Sequence, residues 1–171
     1  MTVQESPPHA LWTAFTARAE LLGAAVMRTA SEEAASTLLR EATSEFACTA
    51  SLHRRFPRLA ALATPRSNGV GTEVVTAGEF AVAETGSVAI DEPRADRGTC
   101  FLAERLWLLV TEEAIVPALT EAMQRMRALI CDGSSHPLLM SGPSRTADIE
   151  RVLTVGVHGP RAIVIVVVGR G

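Results

Sequence analysis

The sequence predicts an α/β fold with a mostly parallel central sheet flanked by helices, and three observations support this. Residues 162–168 are consecutive apolar residues, most of them β-branched, and a strand that is apolar on both faces is typical of a parallel sheet covered by helices. A second apolar run at 106–110 leads directly into a segment whose apolar residues recur at helical spacing. Strands that alternate with helices in this way indicate the α/β class.

The N-terminal part of the chain has helical character. Apolar residues recur at helical spacing over residues 10–29, which predicts a first helix. Ser31 is followed by two glutamates, the pattern of an N-cap with an acidic first turn, and predicts a second helix that extends to about residue 41.

The next stretch leaves alternatives open. Residues 45–63 are compatible with a short strand, a helical turn that ends before Pro57, and a further strand at 59–63. The glycine, serine and proline residues of 64–76 predict a loop.

A hairpin and a long helix are predicted in the middle of the chain. Residues 80–82 and 88–90 alternate apolar with small or polar side chains around a Glu-Thr-Gly turn, which predicts two joined strands. The charged residues 91–97 suggest a mobile loop. The long helix covers residues 115–130, with Pro117 in its first turn and an ion pair from its glutamate at 121 to its arginine at 125.

Length and hydropathy favour one compact protein. The 171 residues predict a single structural domain, in which an N-terminal helical segment (1–45) packs on an α/β domain (46–171). The first eight residues are polar and proline-rich, and the longest apolar run is too short to span a bilayer. We therefore expect a cytoplasmic protein without a membrane span.

Composition removes several kinds of chemistry. All 16 basic residues are arginine, and both lysine and tyrosine are absent. No lysine Schiff base, Walker-type phosphate lysine or anchored pyridoxal phosphate is therefore possible. The net charge of −3 and the 4% of aromatic residues disfavour nucleic-acid binding.

The three cysteines, Cys48, Cys100 and Cys131, are widely spaced, and no Cys-x-x-Cys pair occurs. This spacing predicts neither a structural zinc nor an iron–sulfur cluster held by this chain, so we expect no bound cofactor or metal. The cysteines are interpreted as small buried residues in a reducing compartment.

Residues 141–150 follow a predicted strand at 138–140 and open a predicted helix at 146–153. The carboxyl end of a strand that leads into a helix is where open α/β sheets bind ligands, and the N–H groups of the helix attract anions there. The alternative is that Ser144 or Thr146 only caps the helix. The candidate anion-binding residues of this segment are Ser141, Gly142, Ser144, Arg145 and Thr146.

The turn of residues 156–161 places a histidine between two glycines, immediately before the last strand. His158 is a candidate general acid or base, and Gly156, Gly159 and Arg161 are candidates for ligand binding. The alternative is a histidine with a structural role in a turn.

Glu84 ends a predicted strand at the Glu-Thr-Gly turn, and Gly86 in this turn is a candidate ligand- or anion-binding residue. Glu84 is a candidate base or nucleophile, and the alternative is a solvated hairpin carboxylate.

Four blocks in this order resemble the lactate-utilisation protein C family: residues 84–86, 115–117, 141–150 and 156–161. The last two blocks carry most of the specificity, and the resemblance covers roughly residues 71–168. It implies a Rossmann-like domain of the ribose-phosphate isomerase and CoA-transferase-like type. It also implies two iron–sulfur partner proteins, which would hold the clusters and together support the oxidation of L-lactate to pyruvate.

The resemblance leaves three functions open. The first is a subunit without a cluster that binds a small carboxylate or other anion. The second is a freestanding enzyme that acts on an acyl-CoA or phosphorylated substrate through Glu84, as the glutamate of similar CoA transferases does. The third is a ligand sensor or scaffold without catalysis.

Overall fold

The computed structural model describes residues 8–64, 73–134, 136–143, 145–147, 153–155 and 159–170. Within them the helices are α1 (Pro8–Leu21), α2 (Glu32–Ala42), α3 (Ala50–Arg55), α4 (Pro57–Ala60), α5 (Arg94–Leu102) and α6 (Leu119–Cys131). The strands are β1 (Ala25–Thr29), β2 (Ala47–Cys48), β3 (Glu73–Ala77), β4 (Phe80–Val82), β5 (Ser87–Ile90), β6 (Arg105–Thr111), β7 (Ile115–Val116), β8 (Leu138–Met140), β9 (Arg145–Ala147), β10 (Leu153–Val155) and β11 (Ala162–Val168).

The central sheet has five strands in the order β1-β11-β6-β3-β2, and every neighbouring pair is parallel. β11 pairs with β6 along its whole length, from Ala162 opposite Arg105 to Val168 opposite Thr111. Its other side pairs with β1. The predicted α/β fold with a mostly parallel sheet is confirmed, and so is the central position of the last apolar strand.

A smaller sheet has the order β7-β4-β5-β8. Its β4–β5 pair is antiparallel, with Phe80 opposite Ala89 and Val82 opposite Ser87, which confirms the predicted hairpin. β8 extends this sheet beside β5, also antiparallel.

The side chains of β11 alternate between two cores, one on each face of the central sheet. The odd-numbered residues from Ile163 to Val167 pack with α1, α6 and the smaller sheet. The even-numbered residues from Val164 to Val168 pack with α2, α3 and α4. The central sheet is therefore covered on both faces, as its apolar strands require.

The prediction of a single helix through residue 29 is wrong, because α1 ends at Leu21. Gly23 has a φ of 90°, the left-handed conformation that ends many helices, and its N–H donates to Glu20 O at 2.9 Å. The residues that follow form β1, whose backbone groups pair with β11. Tertiary pairing thus overrides the local helical spacing.

The division at residue 45 into two segments stays a prediction.

Three further predictions are corrected. The strand expected at 59–63 is wrong, because Leu59 and Ala60 belong to α4, which has Pro57 as its first residue. The loop predicted over 64–76 is too long, since β3 is buried beside β6. The charged segment 91–97 is a loop only in its first part, because α5 begins at Arg94. The Pro93 carbonyl accepts hydrogen bonds from two N–H groups in the first turn of this helix.

The ends of two more predicted helices differ. Ile115–Val116 is strand β7, paired with β4, and α6 begins only at Leu119, after Pro117. The helix predicted at 146–153 is wrong for its described residues, because 146–147 belong to β9 and Leu153 to β10, which pair antiparallel.

Gly86→Ala is expected to destabilise the protein by about 3 kcal/mol. The backbone at Gly86 has a φ of +67°, and an added Cβ would lie 2.5 Å from Ala19 N in α1. Gly133→Ala is the matched control, because Gly133 has a φ of +101° but no heavy atom within 4 Å of the added Cβ. We expect it to lose about 1 kcal/mol. Urea unfolding measures both, and equal losses would contradict the close contact with α1.

Candidate functional site

Glu84 lies at the N-terminus of α6, and its side chain forms a hydrogen bond with the first turn of this helix. Its Oε2 accepts a hydrogen bond from Leu119 N at 2.7 Å, and its own N–H donates to Pro117 O at 3.1 Å. Ala118, the N-cap residue, has no side chain that can accept such a bond. The exposed carboxylate of Glu84 therefore replaces the missing cap, while its role as base or nucleophile stays a prediction.

Gly86 and Gly142 both pack against the end of α1. A Cβ at Gly142 would lie 2.6 Å from Leu22 O, and Gly86 has the same kind of contact with Ala19, about one turn earlier. Ser141, next to Gly142, shares a hydrogen bond of 2.6 Å with the hydroxyl of Ser87, the residue after Gly86. The structure thus brings Gly86, Ser141 and Gly142 together through close backbone packing.

Gly159 and Arg161 lie at the amino end of the central sheet. Arg161 directly precedes β11, and its Nη1 is 4.0 Å from the carboxylate of Glu104, which directly precedes β6. Ligands of open α/β sheets bind at the opposite, carboxyl end. The contacts of these two residues therefore give no support to a binding role, which stays a prediction.

The remaining predicted residues fall outside the described residues or are described only in part. Ser144, Gly156 and His158 lie outside them. Arg145 and Thr146 have a described backbone, in β9, but no described side chain. Because β9 is a strand, the expected helix N-terminus is not available there to attract an anion.

An open groove that the sequence analysis missed lies at the carboxyl end of β1, β11 and β6. It has a volume of about 410 Å³ and is lined by Arg28, Thr29, Ala30, Glu112, Gly169 and Arg170. The sequence does contain a signal for this groove: polar residues that directly follow predicted buried strands. The carboxyl ends of parallel strands lie at one edge of the sheet, so such residues come together there.

Arg28 is held over the groove by two neighbours. Its Nη2 donates to both carboxylate oxygens of Glu112, at 2.8 and 2.9 Å. Its guanidinium carbon lies 5.7 Å from the centre of the Trp12 ring in α1, a cation–π distance. A single nitrogen of Arg28 makes both bonds to Glu112, whereas a guanidinium has five N–H donors. The bonds to Glu112 therefore do not use all the donors of Arg28.

The ends of β1 and β11 lie close together beside the groove. Gly169 N donates to Thr29 O at 2.8 Å, and a Cβ at Gly169 would lie 2.9 Å from Ala30 O. A glycine thus keeps the two strand ends close together. Thr29 is 8% exposed, and within the described part of the chain its hydroxyl has no hydrogen-bond partner. This oxygen has less than 1 Å² of accessible surface, so the hydroxyl is not open to the groove.

A buried polar cluster lies at the same edge, at the ends of β2 and β3. The carboxylate of Glu92, 4% exposed, accepts hydrogen bonds from the hydroxyls of Ser51 and Thr76 and from Ser51 N. Thr49 donates to Thr76 at 2.9 Å. These bonds satisfy a buried carboxylate and join α3 to the end of β3, which is a structural function.

The described residues contain neither a candidate metal site nor a membrane-spanning helix. Among them no set of three or more His, Cys, Asp or Glu side chains is grouped closely enough to hold a metal ion. No helix in the described ranges has the length and apolar character needed to cross a membrane.

Comparison with known proteins gives the family. The sequence model of the LUD domain matches residues 72–168, more than half of the chain. The chain belongs to the LUD domain family. The match begins one residue before β3 and ends with β11. It includes six of the predicted site residues whose positions are described above: Glu84, Gly86, Ser141, Gly142, Gly159 and Arg161.

Two proteins similar to this chain are both named lactate utilization protein C. The protein from Macrococcus caseolyticus is 37% identical over 50% of this chain and 39% of its own length. The protein from Deinococcus radiodurans is 38% identical over 56% of this chain and 46% of its own length. The matched segment thus spans less than half the length of these curated relatives.

A solved structure shares the fold of this LUD protein. It is the crystal structure of a DUF162 family protein from Deinococcus radiodurans at 1.70 Å resolution, with a TM-score of 0.69 and 21% sequence identity. The superposition covers 96% of this chain and 99% of that chain, so the likeness extends over the whole fold.

Glu84→Ala is expected to lower the free energy of unfolding by about 1 kcal/mol, because the Leu119 N–H loses its acceptor at the start of α6. Glu104→Ala is the matched control, since its carboxylate is 59% exposed and 4.0 Å from Arg161. We expect it to change stability by less than about 0.5 kcal/mol. Denaturant unfolding compares them, and a loss no larger for Glu84→Ala than for the control would exclude the capping role.

Proposed function

We propose that this LUD protein is a cytoplasmic subunit of an L-lactate-utilisation system and binds a small carboxylate in the groove at the carboxyl end of β1, β11 and β6. The observation that carries the proposal is the position of Arg28 and Arg170 at that end of the sheet. The similarity to proteins named lactate utilization protein C supports the metabolic assignment.

The guanidiniums of the groove suit a small acid. Two guanidiniums line it, and each pairs with one carboxylate, Arg28 with Glu112 and Arg170 with Glu113. A bound acid would contact N–H groups of the guanidiniums that these pairs do not use. Arginine is the side chain that best matches a carboxylate, because its planar N–H groups can contact both oxygens. Arg28 is positioned for this by Glu112 and Trp12, and Arg170 is 83% exposed beside Glu113.

A 2-hydroxy acid would use further groups of the same groove. The carboxylate would bind the arginines, and the Glu112 carboxylate could accept a hydrogen bond from the 2-hydroxyl. The volume of about 410 Å³ lies within the usual range for small-molecule sites.

Electron transfer would require other proteins in this proposal. The three cysteines are at positions 48, 100 and 131 in separate elements, and we assign the clusters to two iron–sulfur partner proteins. The chain would then contribute substrate binding or assembly.

Arg170→Gln is expected to weaken the binding of L-lactate and pyruvate about tenfold or more, because a charged hydrogen-bond donor to the carboxylate is lost. Thermal unfolding measures it, since a ligand at a hundred times its dissociation constant stabilises the wild type by about 2.7 kcal/mol. Arg58→Gln is the control, since Arg58 is 77% exposed and pairs with Glu33 outside the groove. Equal stabilisation of both variants, or none of the wild type, would reject the groove as the site.

Reconstitution tests the metabolic part separately. Mixing the chain with the two iron–sulfur proteins of such a system is expected to give a complex and to raise L-lactate-dependent reduction of an electron acceptor, because the partners would hold the clusters. Size-exclusion chromatography and acceptor absorbance measure these. A complex without increased reduction would favour a scaffold. The absence of both the complex and the increased reduction would argue against a lactate role.

A further inference from the structure

Cys48 and His53 form a thiol–imidazole pair at the outer edge of the central sheet. Cys48 is the last residue of β2, and His53 lies in α3. The distance from Cys48 Sγ to His53 Nε2 is 3.2 Å. A nucleophile and its base are typically this close, and neither residue lines the groove proposed for the carboxylate. The pair is therefore a second chemically distinct feature of the carboxyl edge.

The three cysteines have different surroundings. Cys100 is fully buried, Cys131 is exposed at the end of α6, and Cys48 is half-buried. The interpretation of all three as buried apolar residues is therefore correct only for Cys100. The thiolate is the reactive form of cysteine, and a neighbouring imidazole can accept the thiol proton and stabilise the thiolate as its hydrogen-bond donor.

Other charged groups around the pair are engaged in named contacts. The carboxylates of Glu92 and Asp96 accept hydrogen bonds from backbone N–H groups in the first turn of α3, at 3.3 and 2.8 Å. The two arginines that follow His53 pair with the carboxylate of Glu79, at 3.7 and 2.7 Å. The His53 imidazole lies 3.2 Å from the sulfur of Cys48, within reach of the thiol proton.

We propose that Cys48 is a nucleophilic thiol that forms mixed disulfides with low-molecular-weight disulfides, with His53 as its proton acceptor. The Cys48 sulfur attacks one sulfur of the disulfide, a new S–S bond forms and the original S–S bond breaks. The released thiolate takes the proton held by His53. Cys48 is oxidised and the released half is reduced, so the disulfide itself is the oxidant. Because His53 is exposed, the pair is accessible from the protein surface.

The test is the reaction of the folded full chain with 5,5′-dithiobis(2-nitrobenzoic acid), an aromatic disulfide whose released thiolate is coloured. Peptide mass spectrometry assigns each modification to a cysteine. At about pH 7 we expect Cys48 to react about tenfold faster than Cys131, although Cys131 is more exposed. His53→Gln is expected to slow Cys48 about tenfold and to move its pH–rate profile toward that of an ordinary thiol.

His136→Gln is the matched control, because His136 is also exposed but lies far along the chain, before β8. It should leave the Cys48 rate and profile unchanged. A Cys48 rate no faster than that of Cys131, or one that His53→Gln leaves unchanged, overturns the proposal. Far-ultraviolet circular dichroism checks that His53→Gln is folded. If it is not, the comparison of Cys48 with Cys131 in the wild type still decides.

Discussion

The burial of β11 between β1 and β6 is the constraint on which the rest of the structure depends. Each side chain from Ile163 to Val168 is buried, and successive residues face opposite cores. A side chain of this size contributes about 1.5–3 kcal/mol when it is fully buried. Both faces of the sheet must therefore be covered, which requires α1 and the smaller sheet on one side and α2–α4 on the other.

The two ends of the sheet differ in character because all five strands are parallel. At the side where α1 ends, Gly86 and Gly142 allow close backbone contact with that helix. At the carboxyl end, the chain leaves the strands with charged and hydroxyl residues, including Arg28, Glu112 and Arg170. Parallel pairing thus gathers polar residues that are distant in sequence, and this is where we place the ligand.

The groove combines parts of the chain inside and outside the family match. Arg28, Thr29 and Ala30 precede the matched residues 72–168, while Glu112 lies within them. Cys48 and His53 also precede the match. Of the central sheet, β3, β6 and β11 lie within the family match, while β1 and β2 precede it.

Much of the fold could be predicted, because apolar periodicity and caps are local signals. The N-cap of α2 at Ser31, the hairpin around Glu84 and the apolar β11 follow from their own residues. The error at residues 22–29 arose where strand pairing with the distant β11 outweighed local helical spacing. At 146–147 and 153 the pairing that replaced the helix is local, between β9 and β10.

The sequence by itself determined the fold class, the family and the absence of lysine and tyrosine chemistry. Only the tertiary structure decided which polar groups meet. It placed Glu84 on the first turn of α6, Arg28 beside Glu112 and Cys48 beside His53. The first two contacts join residues 35 and 84 positions apart, and the third depends on how α3 turns back from β2. Such contacts are set by the packing of whole elements, which no local pattern encodes.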